Sequence, residues 1–291
     1  MEGSKSGNKS APAAVPGGPN VNKMETQFPT PYTDVNEILD LLLIDVKEIL
    51  QDQFVGMYLF GSLANGDFDL HSDIDILFVT EQAISKAAFQ ELFEMHERIS
   101  TIDSPWAIQL EVSYIPKDAL HQFDPANNIH PHIDRGPGEK LHRMQHDADW
   151  NVQRYILRER GITVTGPDPN TLIAPVSPAD LRWAVSEILR NWFRHFLDDP
   201  SPLKGRGYQS YTVLTMCRIL YTYEHGEIVS KPVAATWVKQ NLGKEWVGLI
   251  DRAWAGRQTP GLEALPEDIN GTLDFIRYTL EYSNLRQSPI K

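Results

Sequence analysis

The chain is short of several things, and each shortage excludes something. It holds one cysteine, Cys217, among 291 residues, so an internal disulfide framework is impossible. A lone thiol suits a reducing compartment, and a cytoplasmic setting is expected. No apolar run approaches the ~18 residues of a membrane-spanning helix, so no membrane partner is expected. The opening run MEGSKSGNKSAPAAVPGGPN lacks the apolar centre of a signal peptide, and export is not expected either. Basic residues are scarce: 27 Lys and Arg stand against 39 Asp and Glu, a formal net charge of −12. A protein this acidic is poorly suited to tracking a phosphate backbone, so no nucleic-acid partner is expected. A small cationic or neutral partner fits better. No repeat of fixed period is present, which excludes solenoids and propellers.

What is present is ordinary globular composition, 41% hydrophobic and 23% charged, at a length that suits two domains. Residues 1–31, rich in Gly, Pro, Ser, Asn and Lys, are expected to form a disordered leader. A helix is predicted from about Thr33 to Asp52, with Ile38, Leu39, Leu42, Leu43, Val46, Ile49 and Leu50 at helical spacing. Strands are predicted at Val55–Phe60, Asp73–Thr80 and Trp106–Ile115, with a helix at Ser85–Arg98 between the last two. A helix from Asp149 to Arg160 and a strand at Ile162–Gly166 come next. Pro167-Asp-Pro169 breaks the pattern, and the domain boundary is placed there, giving domains at 32–167 and 168–291. The second is predicted to be all helical. One helix begins at the cap Ser177-Pro178 and carries the stripe Leu181, Val185, Ile188, Leu189, Trp192, Phe196. The tryptophans at 183, 192, 237, 246 and 254 are read as core residues.

The informative residues are Asp73 and Asp75. Side chains at i and i+2 of a strand share a face, so two carboxylates project side by side from the apolar run Ile-Asp-Ile-Leu-Phe-Val. Like charges held together are costly unless a cation sits between them. Mg²⁺ suits such a pair, because it takes one or two carboxylates and completes its shell with water and substrate phosphates. Glu111 lies on the strand face opposite Leu110 and Val112 and reaches the same site if its strand pairs beside that of Asp75. Gly61-Ser62 ends the preceding strand and offers backbone N–H groups and a hydroxyl to a phosphate, and Ser72 offers another hydroxyl. Each element alone is weak; all of them in this order point to nucleotidyl transfer. The histidines at 121, 130, 132, 142 and 146 have no cysteine among them and match no closed zinc site, so they are read as loop and surface residues. Cys217 is read as a buried core thiol.

The run Tyr58-Leu-Phe-Gly-Ser-Leu-Ala-Asn-Gly66, followed by His71-Ser-Asp-Ile-Asp-Ile-Leu77, resembles the DNA polymerase β-like nucleotidyltransferase superfamily, with Leu110-Glu-Val112 supplying a third acid. Cys217-Arg-Ile-Leu-Tyr221, Gly226-Glu-Ile228, Lys231 and Ala234-Ala-Thr-Trp237 are similar to the aminoglycoside 3″-adenylyltransferases that confer streptomycin and spectinomycin resistance. The resemblance implies an α+β protein: a nucleotidyltransferase domain with a small mixed sheet, plus a helical bundle, acting as a monomer. It implies ATP and a small hydroxylated acceptor as partners. It implies Asp73 and Asp75 as Mg²⁺ ligands with Glu111 beside them, and Glu111 as the base. Arg218 and Lys231 are implied at the ATP phosphates, and Asp149 and Trp150 at the acceptor. One stretch departs from the family. Lys204-Gly-Arg-Gly-Tyr-Gln-Ser-Tyr211 stands where drug-binding acids are expected, and it is read as repelling a polycation.

Overall fold

The structure, a computed structural model, describes residues 29–287. Residues 1–28 of the expected leader lie outside this range. Thr30, near its end, is buried: its hydroxyl donates to Asn36 Oδ1 at 2.8 Å, and its carbonyl accepts from Asn36 Nδ2 at 2.8 Å. These bonds fasten the entry to α1 (Thr33–Leu50), whose Val35, Ile38, Leu39, Leu42, Val46 and Leu50 are buried at the predicted spacing.

Six strands make up the sheet: β1 (Phe54–Leu59), β2 (Ile74–Thr80), β3 (Leu110–Pro116), β4 (Ile129–Ile133), β5 (His142–Gln145) and β6 (Ile162–Thr165). Their order is β5-β4-β3-β2-β1-β6, with β2 and β3 parallel and every other pair antiparallel. This is the expected mixed sheet. Short α2 (Gly61–Asn65) comes directly after β1. The crossover that a parallel pair demands is α3 (Lys86–Ile99), capped by Ser85, whose Oγ accepts from Ala88 N at 3.1 Å. Alternation along the strands divides the core. Met57, Leu59, Ile74, Ile76, Phe78, Leu110, Val112 and Tyr114 pack under α1 and α3. Tyr58, Leu77, Val79 and Ile115 point the other way and pack with the helical part.

The remaining helices are α4 (Lys117–His121), α5 (Asp149–Arg160), α6 (Pro169–Leu172), α7 (Pro178–Ile188), α8 (Arg206–His225), α9 (Lys231–Asn241), α10 (Val247–Gly256) and α11 (Pro266–Gln287). A capping box between Ser177 and Asp180 starts α7. Helix α8, buried on most sides, is the axis of the bundle, and α7, α9, α10 and α11 pack around it. It stops at Gly226, which takes φ 69°.

Four readings of the sequence need correction. β3 starts at Leu110; Trp106 precedes it in a turn, where its Nε1 donates to Asp34 Oδ2 at 2.7 Å. The stretch after β3, whose histidines are read as loop and surface residues, forms β4 and β5, and His130, His132 and His146 there are buried. The stripe drawn from Leu181 to Phe196 loses its phase because Leu189–Phe193 is a π turn. The wider turn rotates the residues after Ile188, so Trp192 emerges half exposed while Phe193 and Phe196 turn inward. Trp183 and Trp254 are also exposed, at 44% and 38%, so only Trp237 and Trp246 of that set pack against the core.

Candidate active site

The parallel pairing of β2 and β3 sets Asp75 directly beside Glu111. Asp73 stands just before β2, and carboxylate oxygens of all three acids lie within 4.8 Å of one another. Among the described residues this is the one group of three or more acidic, His or Cys side chains close enough to share an ion. Gly61 makes the approach possible. It takes φ +61°, and a Cβ there would lie 1.6 Å from Asp75 Oδ2. Its contribution is the absence of a side chain, which lets the carboxylate lie against the start of α2.

Burial, then the charges of Asp73 and Glu111, hold the Asp75 carboxyl well above the ordinary range. Burial and Asp73 likewise push Glu111 up to about 7. The donor set is all carboxylate oxygen, and the three acids repel one another. Both features fit a hard divalent cation.

The cations stand across a cleft. Arg218 is on α8 and Lys231 begins α9, its Nζ 5.8 Å from the centre of the Tyr211 ring. Burial, then Arg218, lowers the Lys231 pKa. Two adjoining hollows of about 430 and 170 Å³ run through this space and share Ser62, Asp67, Asp73, Tyr211 and Lys231. The smaller also exposes Asp75, Glu111, Arg218 and Gln153. Ser62 Oγ is buried here with no hydrogen-bond partner, so it is available to a ligand. Ser72 lines the larger hollow, but its hydroxyl is occupied in a turn, donating to Asp69 Oδ1 and accepting from Asp69 N, both at 3.0 Å.

The structure does not bring every predicted residue together. Trp150 is buried in the core, its ring centred 4.5 Å from that of His146, and it lines neither hollow of the cleft. A ring so placed cannot cover a sugar beside the acids. Asp149, half-buried in the first turn of α5, lines neither hollow itself. Gln153, one turn further on, does. Burial and then Asp147 raise the Asp149 pKa. The basic stretch before α8 also reads differently in three dimensions. Arg206 turns away to the fully buried Asp268, at 2.7 Å, which Arg252 also meets at 2.6 Å. The stretch gives the cleft Gly207 and Tyr211.

Sequence reasoning missed Asp67, Arg135 and Arg257, which also line the cleft. Arg135 Nη1 lies 3.5 Å from Asp73 Oδ2. They come from loops with no periodicity to mark them; the acids in Gly66-Asp-Phe-Asp69 were the only signal. Cys217 is fully buried, and burial raises its thiol pKa, as suits a core thiol.

Two family models match the two parts of this site. Residues 43–130 match the nucleotidyltransferase domain, and residues 171–281 match the C-terminal domain of aminoglycoside adenylyltransferase. Together the two matches make the chain similar to the aminoglycoside adenylyltransferases. It is 27% identical to a spectinomycin 9-adenylyltransferase of Staphylococcus aureus over 259 residues, 85% of this chain and 95% of that protein. It is 24% identical to an aminoglycoside (3″) (9) adenylyltransferase of Escherichia coli over 258 residues, 84% of this chain and 92% of the other. The fold is shared with a solved Enterococcus spectinomycin adenyltransferase, at TM-score 0.64 and 18% identity, over 84% of this chain and 98% of that one.

The division of labour within the cleft mirrors the two matches. The nucleotidyltransferase match carries Asp73, Asp75 and Glu111. The C-terminal match carries Arg218, Lys231 and Arg257. Helix α5 falls between them and supplies Val152, Gln153 and Ile156 to the smaller hollow. No helix among the described residues is long and apolar enough to cross a membrane.

Proposed function

We propose that this chain transfers AMP from ATP to a hydroxyl of an aminocyclitol or aminoglycoside, releasing pyrophosphate, as a cytoplasmic monomer. The observation that carries the reading is the acid triad facing Arg218 and Lys231 across one cleft. The two sides would belong to a nucleotidyltransferase domain at 32–167 and a helical domain at 168–291.

Asp73 and Asp75, with Glu111 beside them, would hold Mg²⁺, which when bound offsets the negative charge of the triphosphate. Lys231 and Arg218 balance the remaining phosphate charge from the helical side, and Ser62 Oγ donates to a phosphate oxygen. Glu111 takes the proton from the acceptor hydroxyl. Burial and the Asp73 charge raise the affinity of Glu111 for a proton, and a cation bound beside it would oppose that rise. The hydroxyl oxygen bonds to the α-phosphorus, the α–β phosphoanhydride bond breaks, and pyrophosphate leaves.

The acceptor end lies toward α5, where Gln153 reaches the smaller hollow and Asp149 stands one turn behind it. The S. aureus relative is named for spectinomycin, and that acceptor is the one favoured here. The cleft side of Lys204–Tyr211 supplies an aromatic ring and no acid, which suits an acceptor with few positive charges. The test is pyrophosphate release from Mg·ATP across a panel of aminoglycosides and aminocyclitols. Release with spectinomycin and little with polycationic drugs is expected. Release with none of them would place the acceptor outside the drug family.

A further inference from the structure

Asp69 and Arg257 meet across the cleft from its two sides. Arg257 comes just after α10, with Nη2 3.1 Å from Asp69 Oδ2, and its guanidinium carbon lies 4.9 Å from the centre of the Trp254 ring. The side chain is only 18% exposed. Asp69 uses its two carboxylate oxygens for different tasks. Oδ1 accepts from His71 N and from Ser72 Oγ, each at 3.0 Å, while Oδ2 takes Arg257. The Ser72 N–H closes the turn on Asp69 O at 3.0 Å. The next residue in the chain is Asp73. On the sheet side Arg135 Nη1 reaches His71 O at 3.4 Å and Asp73 Oδ2 at 3.5 Å.

We propose that Arg257 is a positioning residue that clasps the Asp69–Ser72 turn to the helical part of the molecule and thereby sets where Asp73 stands in the cleft. The choice of residue fits the task. A guanidinium is planar, stays charged, and lies flat on an indole while its edge meets a carboxylate. A lysine has no such face. An isolated ion pair this near the surface adds little to global stability, so the effect is local. The importance of the Asp73 position rests on the proposed function; the clasp itself does not.

The test is hydrogen exchange on the full chain without nucleotide or metal. R257A should speed exchange of the His71 and Ser72 amides about tenfold, the factor expected on losing one charge-assisted contact. D69N keeps an oxygen for His71 N and loses the charge that Arg257 meets. It should speed the same amides, and adding R257A to it should change them little further. With Mg·ATP present, R257A should raise the ATP KM. Unchanged amides in R257A, or effects that simply add in the double variant, would overturn the clasp. A wild-type chain that does not consume ATP would overturn the proposed function and leave the exchange result readable.

Discussion

Two polar clusters stand on the same sheet and have opposite characters. The acids of β2 and β3 open into a cleft faced by Arg218, Lys231 and Arg257. Beside them His130, His132 and His146 are sealed. His132 Nδ1 and Ser113 Oγ are 2.8 Å apart, and the rings of His130 and His146 stack at 5.6 Å under Trp150. Both clusters draw on polar residues on strands or at their ends. Their difference is what covers them. Cations across a hollow leave the acids open to a ligand; burial against the Trp150 indole disfavours the charged form of His146. Burial, then the neighbouring histidines, depress the His146 pKa to about 2. The same force raises Glu111 to about 7.

The largest effect should come from removing a metal-holding acid. D75N or D73N should lower AMP transfer by at least about 10³-fold, since the cation contributes several kcal/mol. The fold should survive, because removing one of three crowded like charges relieves repulsion. Near-wild-type turnover in either variant would dissolve the distinction between the clusters. E111Q preserves shape and removes the base, so turnover should fall by about 10²–10⁴. ATP affinity, measured by calorimetry, should change less. Loss of ATP binding together with turnover would make Glu111 chiefly a metal ligand.

The alternation that made Asp73, Asp75 and Glu111 share a face was readable because strands repeat every two residues and the intervening positions are apolar. β4 and β5 were not readable. Their runs are five and four residues long, Pro131 interrupts the first, and histidines occupy inward positions where aliphatic residues are expected. The exposure of Trp192 was hidden because sequence periodicity assumes an uninterrupted α-helix. The neutralisation of Arg206 by Asp268, and the convergence of Arg135 and Arg257 on the turn before β2, depend on contacts between distant stretches of chain. No local pattern announces such contacts.

The two clusters should also oppose each other in pH dependence, which sharpens the comparison. Asp75 and Glu111 bind protons more tightly folded than unfolded. With chelator present, their contribution to stability is therefore lost as pH rises from about 4.5 toward 7. His146 binds its proton less tightly folded, so its contribution is lost as pH falls below 6.5. Between pH 6.5 and 5 this should amount to roughly 2 kcal/mol, at about 1.4 kcal/mol per pH unit. Urea midpoints against pH should show H146Q flattening the acid limb and E111Q the limb above pH 4.5. The same limb flattening in both variants would contradict the opposition. The smallest effect belongs to Asp149. Asp149 lines neither hollow, so D149N should leave the acceptor KM and the stability nearly unchanged. A KM raised about tenfold, the cost of one charge-assisted contact, would bring Asp149 to the acceptor after all.

The central claim is that the acid cluster and the facing cations form one site for moving an adenylyl group to a small acceptor. Mass spectrometry of spectinomycin after incubation with Mg·ATP and the enzyme tests it most directly. The account predicts a product heavier by one adenylyl group, formed by the wild-type chain and absent with D75N. Unmodified spectinomycin beside intact ATP, or the same product from D75N, would contradict it.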